Sequence, residues 1–268
     1  MDFQERAVLG LPIDTPFGKL KPLSIYDFLE RGDALSAITF DKPRVLHEIR
    51  LNQPEEQRNT KEMTALLREM NEQYSLKDIL ITYMEPYFHA YVEVISRCSE
   101  LKENETFESK QEEVFEYLKE IDAEEFDAFR QIILEINNQA TQTASLDPTV
   151  QAWKEKALRY KSTAKGDGTA PNLSTMVTSI VSFSGHTFSE ILEWNIAQLQ
   201  QVFQRIGLFK AYDTTTLFST VTDKIDIQDW SKNIEIENDS NTSSNVAMSF
   251  KAFQQNMGDS VNSAPDNN

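Results

Sequence analysis

Apolar residues along this chain recur mostly at every third or fourth position, which is the spacing of one buried helix face. The pattern is densest over residues 172–236. There Thr187-Phe188-Ser189-Glu190 has the form of a capping box, a hydroxyl for the first free amides and a glutamate three residues on to reach back. Phe188, Ile191, Leu192, Leu199, Val202, Phe203 and Ile206 then predict one helix, with Gly207 where a left-handed C-cap is wanted. A second apolar set follows at Leu208, Phe209, Tyr212, Leu217, Phe218 and Val221, and the run closes on Ile225, Ile227, Trp230 and Ile234. So much apolar surface must be buried, inside the fold or against a partner.

Upstream, Gly10, Pro12, Pro16, Gly18 and Pro22 punctuate residues 10–23 and predict extended chain with a short hairpin across Pro16-Phe17-Gly18. Ser24 predicts an N-cap, with Asp27 at the third helical position and Gly32 at the helix end. Helices are expected after Pro43 (Val45, Leu46, Ile49) and around Met63, Leu66, Leu67 and Met70, with a polar loop over residues 54–60 between them. Another apolar helix begins at residues 75–78. Pro86 must kink or break it, because its ring removes an amide and clashes with the preceding turn. Val114, Phe115, Leu118 and Ile121 mark a further helix, and Asp122 can cap the next, which carries Phe126, Phe129, Ile132, Ile133 and Ile136. Asp147-Pro148 is a helix start, with Val150, Trp153, Ala157 and Leu158 as the expected buried stripe.

The expected architecture is therefore mostly α. A multi-helix N-terminal domain spans 1–162, a linker 163–171, and a small C-terminal helical unit 172–236. A polar tail over 237–268, rich in Ser, Asn, Asp and Gln, is expected to be disordered apart from a transient helix over residues 246–253.

Composition narrows the class. Only 8 glycines and 9 prolines in 268 residues argue against a sandwich, a barrel or a nucleotide-binding α/β sheet, all rich in tight turns. A net charge of −17 repels nucleic acid and anionic membranes unless a local basic patch intervenes. The one basic segment carries Lys154, Lys156, Arg159, Lys161 and Lys165. It is a single helix without interleaved base-stacking aromatics, so pairing with the protein's own acidic surface is the better expectation. Residues 99–129 hold 12 acids against Lys102, Lys110 and Lys119, and read as a solvated face. One cysteine, Cys98, cannot make an internal disulfide, so a reducing compartment is expected. Neither a signal peptide nor a membrane span is expected.

Candidate chemistry is sparse. His47, His89 and His186 have no second histidine at i+4 and no cysteine nearby, which is not metal-ligand spacing. Ser184-Gly185-His186-Thr187 lacks the glycine–serine–glycine elbow of an esterase, and Gly166-Asp167-Gly168 is not followed by the Lys-Ser/Thr of a phosphate loop. Cys98 has no histidine to activate it. The expectation is a protein without catalytic residues, cofactor or metal.

Phe209-Lys210-Ala211-Tyr212-Asp213-Thr214-Thr215-Thr216-Leu217-Phe218, followed by Asp229-Trp230-Ser231-Lys232-Asn233-Ile234, resembles the tail assembly chaperones of tailed bacteriophages, in particular large contractile-tailed phages of Gram-positive hosts. The helix that starts Thr187-Phe188-Ser189-Glu190-Ile191-Leu192-Glu193-Trp194 and the early Phe17-Gly18-Lys19-Leu20-Lys21-Pro22-Leu23 segment with Tyr26-Asp27-Phe28 are similar to the same family. The resemblance covers about a third of the chain. It implies a helical, non-catalytic protein of the infected host's cytoplasm, absent from the mature virion. Such a protein coats the tape measure protein, keeps it soluble, and leaves as tail tube subunits polymerise. It implies the tail tube protein and a frameshifted longer form of the same chain as further partners, and it leaves room for self-association. Large aromatics dominate interface energy, so Trp194, Phe203, Phe209, Tyr212, Phe218 and Trp230 are the candidate partner-binding residues, each of which is either interface or core. Two alternatives stand beside this reading: a structural virion protein such as a neck or baseplate adaptor, which would remain in purified particles, and an enzyme, which a bound metal or nucleotide would reveal.

Overall fold

The computed structural model describes residues 3–164, 172–220 and 229–231. Among them are thirteen helices and one two-stranded hairpin, so the fold is mostly α, as the apolar spacing predicts. The expected tail over 237–268 and most of the linker over 163–171 lie outside the described residues.

A short helix α1 (Phe3–Val8) leads into β1 (Ile13–Thr15) and β2 (Gly18–Leu20), antiparallel with Ile13 opposite Leu20 and Thr15 opposite Gly18. Pro16 and Phe17 make the expected turn. Gly18 sits at φ 133°, a conformation that a side chain would strain. Ile13 and Leu20 share one face of the hairpin and are buried in the core.

Eight helices follow: α2 (Ile25–Thr39), α3 (Lys42–Leu51), α4 (Glu55–Arg58), α5 (Lys61–Gln73), α6 (Leu76–Tyr83), α7 (Glu85–Cys98), α8 (Phe107–Glu120) and α9 (Ala123–Ile136). Their starts are set by side chains that take up free amides. Ser24, Thr60, Ser75 and Asp122 each accept from the amide three residues on, and Ser75–Asp78 and Asp122–Glu125 close full capping boxes. Each such cap contributes about 1 kcal/mol. Pro86 falls in the first turn of α7, and the chain breaks at Met84 as the proline requires.

Two local expectations are corrected. Gly32 does not end α2. The helix kinks at Arg31 (φ −132°, ψ 25°) and runs on to Thr39. Leu35, Ala37 and Ile38 continue the buried face, and their burial outweighs the roughly 1 kcal/mol that a helical glycine costs. Residues 54–60 are not all loop either, since α4 forms one helical turn there.

The core gathers around α7, which packs against α2, α6 and α8. Tyr91 on α7 stacks on Phe126 of α9, with ring centroids 5.2 Å apart. Buried polar side chains tie helix ends together. Arg130 of α9 donates from Nε to the carbonyl of Ile38 and from Nη2 to that of Thr39, both at 2.8 Å, which satisfies two of the free carbonyls at the end of α2. Asn137 accepts from the Leu23 amide at 2.8 Å and donates to the Ile133 carbonyl at 2.9 Å. Arg50 of α3 donates to the Leu146 carbonyl at 2.5 Å, fixing the chain just before α10 (Pro148–Ala164).

Helix α10 begins where Asp147-Pro148 predicts, with Asp147 accepting from the Thr149 and Val150 amides. Its stripe is not buried, contrary to expectation. Val150 is 40% exposed and Trp153 69%, and Ala157 is exposed as well. Leu158's side chain lies outside the described residues. The buried member of the first turn is Gln151, which accepts from the Ser145 amide. An apolar spacing says which side of a helix is greasy; it cannot say whether the chain supplies a surface to cover it.

The last described helices are α11 (Leu173–Ser184), α12 (Phe188–Leu192) and α13 (Ile196–Ser219). Met176, Val177, Ile180, Ile191, Ile196 and Leu199 belong to the same buried cluster as α2, α7 and α9. The Ile25 amide donates to the Trp194 carbonyl at 2.6 Å, Asn138 donates to Gln200 at 2.7 Å, and Asn195 donates to the Ala7 carbonyl at 2.7 Å. Gly207 is not a C-cap. It lies inside α13, exposed, and a Cβ added there would meet nothing within 4 Å. Replacing Gly207 by alanine is therefore expected to stabilise the protein by up to about 1 kcal/mol, seen as a raised melting temperature. A lowered one would show that the glycine's freedom is used.

Candidate partner-binding surface

Three N-caps and one C-cap build this end of the molecule. Asn172 caps α11, and Gly185 ends it in the left-handed conformation at φ 76°. The Thr187–Glu190 box opens α12 as expected. Thr187's amide and hydroxyl donate to the Glu190 carboxylate, which holds that carboxyl below its usual range. The helix expected to run from Phe188 to Ile206 is two helices, the second of which continues to Ser219. Asn195 accepts from the Gln198 amide at 2.9 Å while Gln198 accepts from the Asn195 amide at 3.0 Å, and this second capping box starts α13 after a turn at Glu193 and Trp194. The Asn-x-x-Gln pattern was its visible signal.

The six candidate aromatics divide. Trp194 and Phe203 are half-buried and pack against the core cluster, and Trp194 also meets His186 edge-on at 5.1 Å. Further along α13, burial fades. The buried residues of this helix are Ile196, Ala197, Leu199 and Gln200, all in its first turns. Beyond them Phe209 is 46% exposed and Phe218 52%, and Tyr212 is half-buried. Trp230 comes back onto this helix. Its ring meets Phe209 edge-on at 5.7 Å, its carbonyl accepts from Arg205 Nη1 at 2.6 Å, and 41% of the residue stays open. At about 100° per residue, Tyr212 and Leu217 lie within about 80° of Phe209, whereas Phe218 points about 180° away. The structure thus brings Phe209, Tyr212 and Trp230 together and separates them from Phe218 and from Trp194 and Phe203.

Three large apolar residues that were not among the candidates are also exposed: Leu217 on α13 (69%), Phe183 on α11 (58%) and Phe188 on α12 (54%). Lys210 of α13 lies over the Phe183 ring at 4.7 Å. Phe183 follows Met176 and Ile180 at helical spacing, so its position reads as core; it is exposed because the apolar face of α11 extends past the body it packs on.

The densest run of acidic residues lies on other helices. Along α8 and α9, Glu108, Glu112, Glu116, Glu120 and Glu124 are exposed, a solvated face as expected. Lys110 is the exception. It is buried, donates to Glu113 at 2.8 Å, lies 3.6 Å from Glu105, and sits over the Phe17 ring at 4.9 Å. The hydrogen bond from Lys110 is the main cause holding Glu113 below its usual range.

Elsewhere the polar groups of a sizeable described cleft are largely occupied by structure. It has a volume of about 530 Å³ and is lined by Asp41, Lys42, Ser75, Asp127 and Arg130. Asp41 and Ser75 in it are helix caps, Lys42 donates to the Asn71 and Tyr74 carbonyls, and Arg130 closes α2. His47 is buried, and desolvation lowers its pKa; His89 stacks on Phe115 and His186 stands 3.7 Å from Glu190. Among the described residues, no group of three or more His, Cys, Asp or Glu side chains gathers in a way that could hold a metal, and no helix is long and apolar enough to cross a membrane. Cys98 is buried, and desolvation pushes its thiol up to about 12. It should stay unmodified by a thiol reagent in native protein at mildly alkaline pH and react fully in denaturant. Rapid labelling of the folded chain would contradict this placement.

Comparison with known proteins adds the origin. A family profile described as the YomV second domain matches residues 161–235, the range that contains α11 to α13. The chain is 24% identical over 229 residues to the SPbeta prophage-derived uncharacterized protein YomV of Bacillus subtilis (strain 168), covering 85% of this chain and 87% of that protein. No solved structure matches. These similarities support a bacteriophage origin for the chain.

Proposed function

We propose that this protein is a non-catalytic tail assembly chaperone that coats and solubilises the helical tape measure protein during phage assembly. The observation that carries the reading is the distal half of α13, where Phe209, Leu217 and Trp230 stay open. A polymer-coating chaperone must cover apolar stripes on its client without gripping them irreversibly. Exposed aromatic and aliphatic side chains on a charged, soluble body do this. The client stripe removes apolar area from water at about 25 cal/mol per Å², and a net charge of −17 keeps many crowded copies apart. The same charge attracts lysine-rich helices and disfavours nucleic acid or anionic membrane as partners.

In this reading the chain acts in the host cytoplasm, needs no cofactor, and leaves before the particle matures. Tail tube protein and a frameshifted longer form of the chain are its further partners. Co-expression tests it. The tape measure protein should move from the insoluble to the soluble fraction when this chain is present, and the two should co-purify. Equal solubility alone, without co-purification, would sink the proposal. Finding the chain in purified virions would favour the neck or baseplate alternative.

A further inference from the structure

We propose that α10 is a docking helix for a second copy of this chain. Its open stripe of Val150, Trp153 and Ala157, edged by Lys154, seats on the acidic outer face of that copy's α8. The inference stands apart from the reading of α13 as a client surface and needs no client.

The first argument is how little of α10 the chain covers. At about 100° per residue, Val150, Trp153 and Ala157 fall within an arc of about 60°. All three are exposed, Trp153 at 69%. The inward side carries Gln151 and Glu155, about 100–160° from them, and the Gln151 amide donates to the Glu155 carboxylate at 2.9 Å. The Arg50 bond to the Leu146 carbonyl and the Ser145 bond to Gln151 fix the first turn. A helix draws most of its stability from packing its apolar face, and a tryptophan left in water forfeits one of the largest burials a side chain offers.

The second argument is charge. Helix α10 holds Lys154, Lys156, Arg159 and Lys161 against Glu155, a net +3, which leaves −20 for the remainder of a chain of net −17. On the outside of α8, Glu108, Glu112 and Glu116 are all exposed. Spaced i, i+4 and i+8, they lie within an arc of about 80°. Like charges at this spacing repel along a helix, and a basic face laid over them relieves the repulsion. The lysines nearby are already taken, Lys102 and Lys110 by Glu113 and Lys119 by Glu116, which leaves Glu108 and Glu112 for a partner. The seat is also partly apolar. Half-buried Phe115 lies about 20° from Glu108, and His89 stacks on it at 5.7 Å, so Trp153 meets an aromatic surface beside the carboxylates.

The third argument is reach. Helix α10 is held to α3 through Arg50, whereas α8 packs on α7. Lys154, Glu108 and Glu112 are all exposed in the same chain, so the two faces do not meet within one copy. A second copy brings them together. The charges then set the register, and the desolvated tryptophan supplies most of the affinity. Nucleic acid, which a basic helix also attracts, is repelled by the rest of this chain.

Sedimentation of the full chain at rising concentration tests this. The mass should climb from the single-chain 30.8 kDa toward two chains or more. Trp153→Asp should weaken the association about thirtyfold or more while leaving the melt unchanged. Lys154→Glu should weaken it, as should Glu108→Lys combined with Glu112→Lys, and a chain carrying all three exchanges should regain it. A single-chain mass throughout overturns the proposal, and so does association indifferent to Trp153→Asp. Loss with Trp153→Asp but no response to the exchanges at Glu108 and Glu112 puts the stripe on another surface and equally overturns it. Association that instead depends on Phe209 and Leu217 belongs to α13 and counts against α10. Because no tape measure protein is present, self-docking can hold while client rescue fails, and the reverse.

Discussion

Replacing Phe209 and Leu217 together by aspartate is expected to abolish rescue of the tape measure protein while leaving the melting temperature nearly unchanged. Both side chains are about half or more open, so the folded chain loses little when they go. A client stripe laid on this face would meet two desolvated carboxylates instead of an aromatic ring and a branched aliphatic. Central aromatic anchors contribute about 2 kcal/mol or more each to an interface, so affinity should fall by at least about a hundredfold. The measurement is the soluble, co-purifying fraction of the tape measure protein beside a thermal melt of the variant alone. Trp194→Ala is the contrast. Trp194 packs on the core cluster and faces His186, so its loss should lower the melt. If the double aspartate variant rescues as well as the parent chain, α13 is not the client surface.

Replacing Arg130 by methionine is expected to give the largest loss of stability among single polar substitutions in the body. Its guanidinium is buried and donates to the Ile38 and Thr39 carbonyls at the end of α2. Methionine fills much of the volume but removes one donor from each carbonyl, leaving the Thr39 carbonyl with the Gln142 amide at 2.7 Å and the Ile38 carbonyl with the Tyr91 hydroxyl at the long distance of 3.5 Å. A hydrogen bond from a charged group contributes about 1.5–3 kcal/mol, which puts the loss at about 2 kcal/mol and the fall in melting temperature at about 4–8 °C for a chain of this size. Arg130→Lys should recover part of it, because an ammonium can reach one carbonyl but lacks the fork that spans two. A melt unchanged by Arg130→Met would mean that water replaces the guanidinium at no cost.

Local order was legible from residues alone wherever the signal is local. Ser24, Ser75, Asp122, Asp147 and Thr187 stand at helix starts because a cap is a hydrogen bond to an amide two or three residues away. Pro86 breaks a helix, and Pro16 to Gly18 turn a hairpin, for equally short-range reasons. Glycine misled twice. Gly32 and Gly207 carry a helix-ending preference of only about 1 kcal/mol, which continued burial along α2 and continued helical hydrogen bonding along α13 override.

By itself, then, the sequence determined the mostly helical class, the helix starts, the hairpin and the acidic solvated face. All of these follow from spacing and composition within a few residues. Which apolar faces find a partner was decided only in the tertiary structure. The stripe of α10 reads as core no less than those of α7 and α9, and the distal half of α13 reads as core or interface alike, yet Trp153 and Leu217 are each 69% exposed while Tyr91 and Phe126 are each 1% exposed. The same holds for the buried cations Lys110 and Arg130, whose sequence neighbours give no hint of the ring or the carbonyls that receive them. Burial is a property of two surfaces meeting. One stretch of sequence carries the first surface, and the second arrives from Phe17 or Ile38, some 90 residues away, only when the chain is folded.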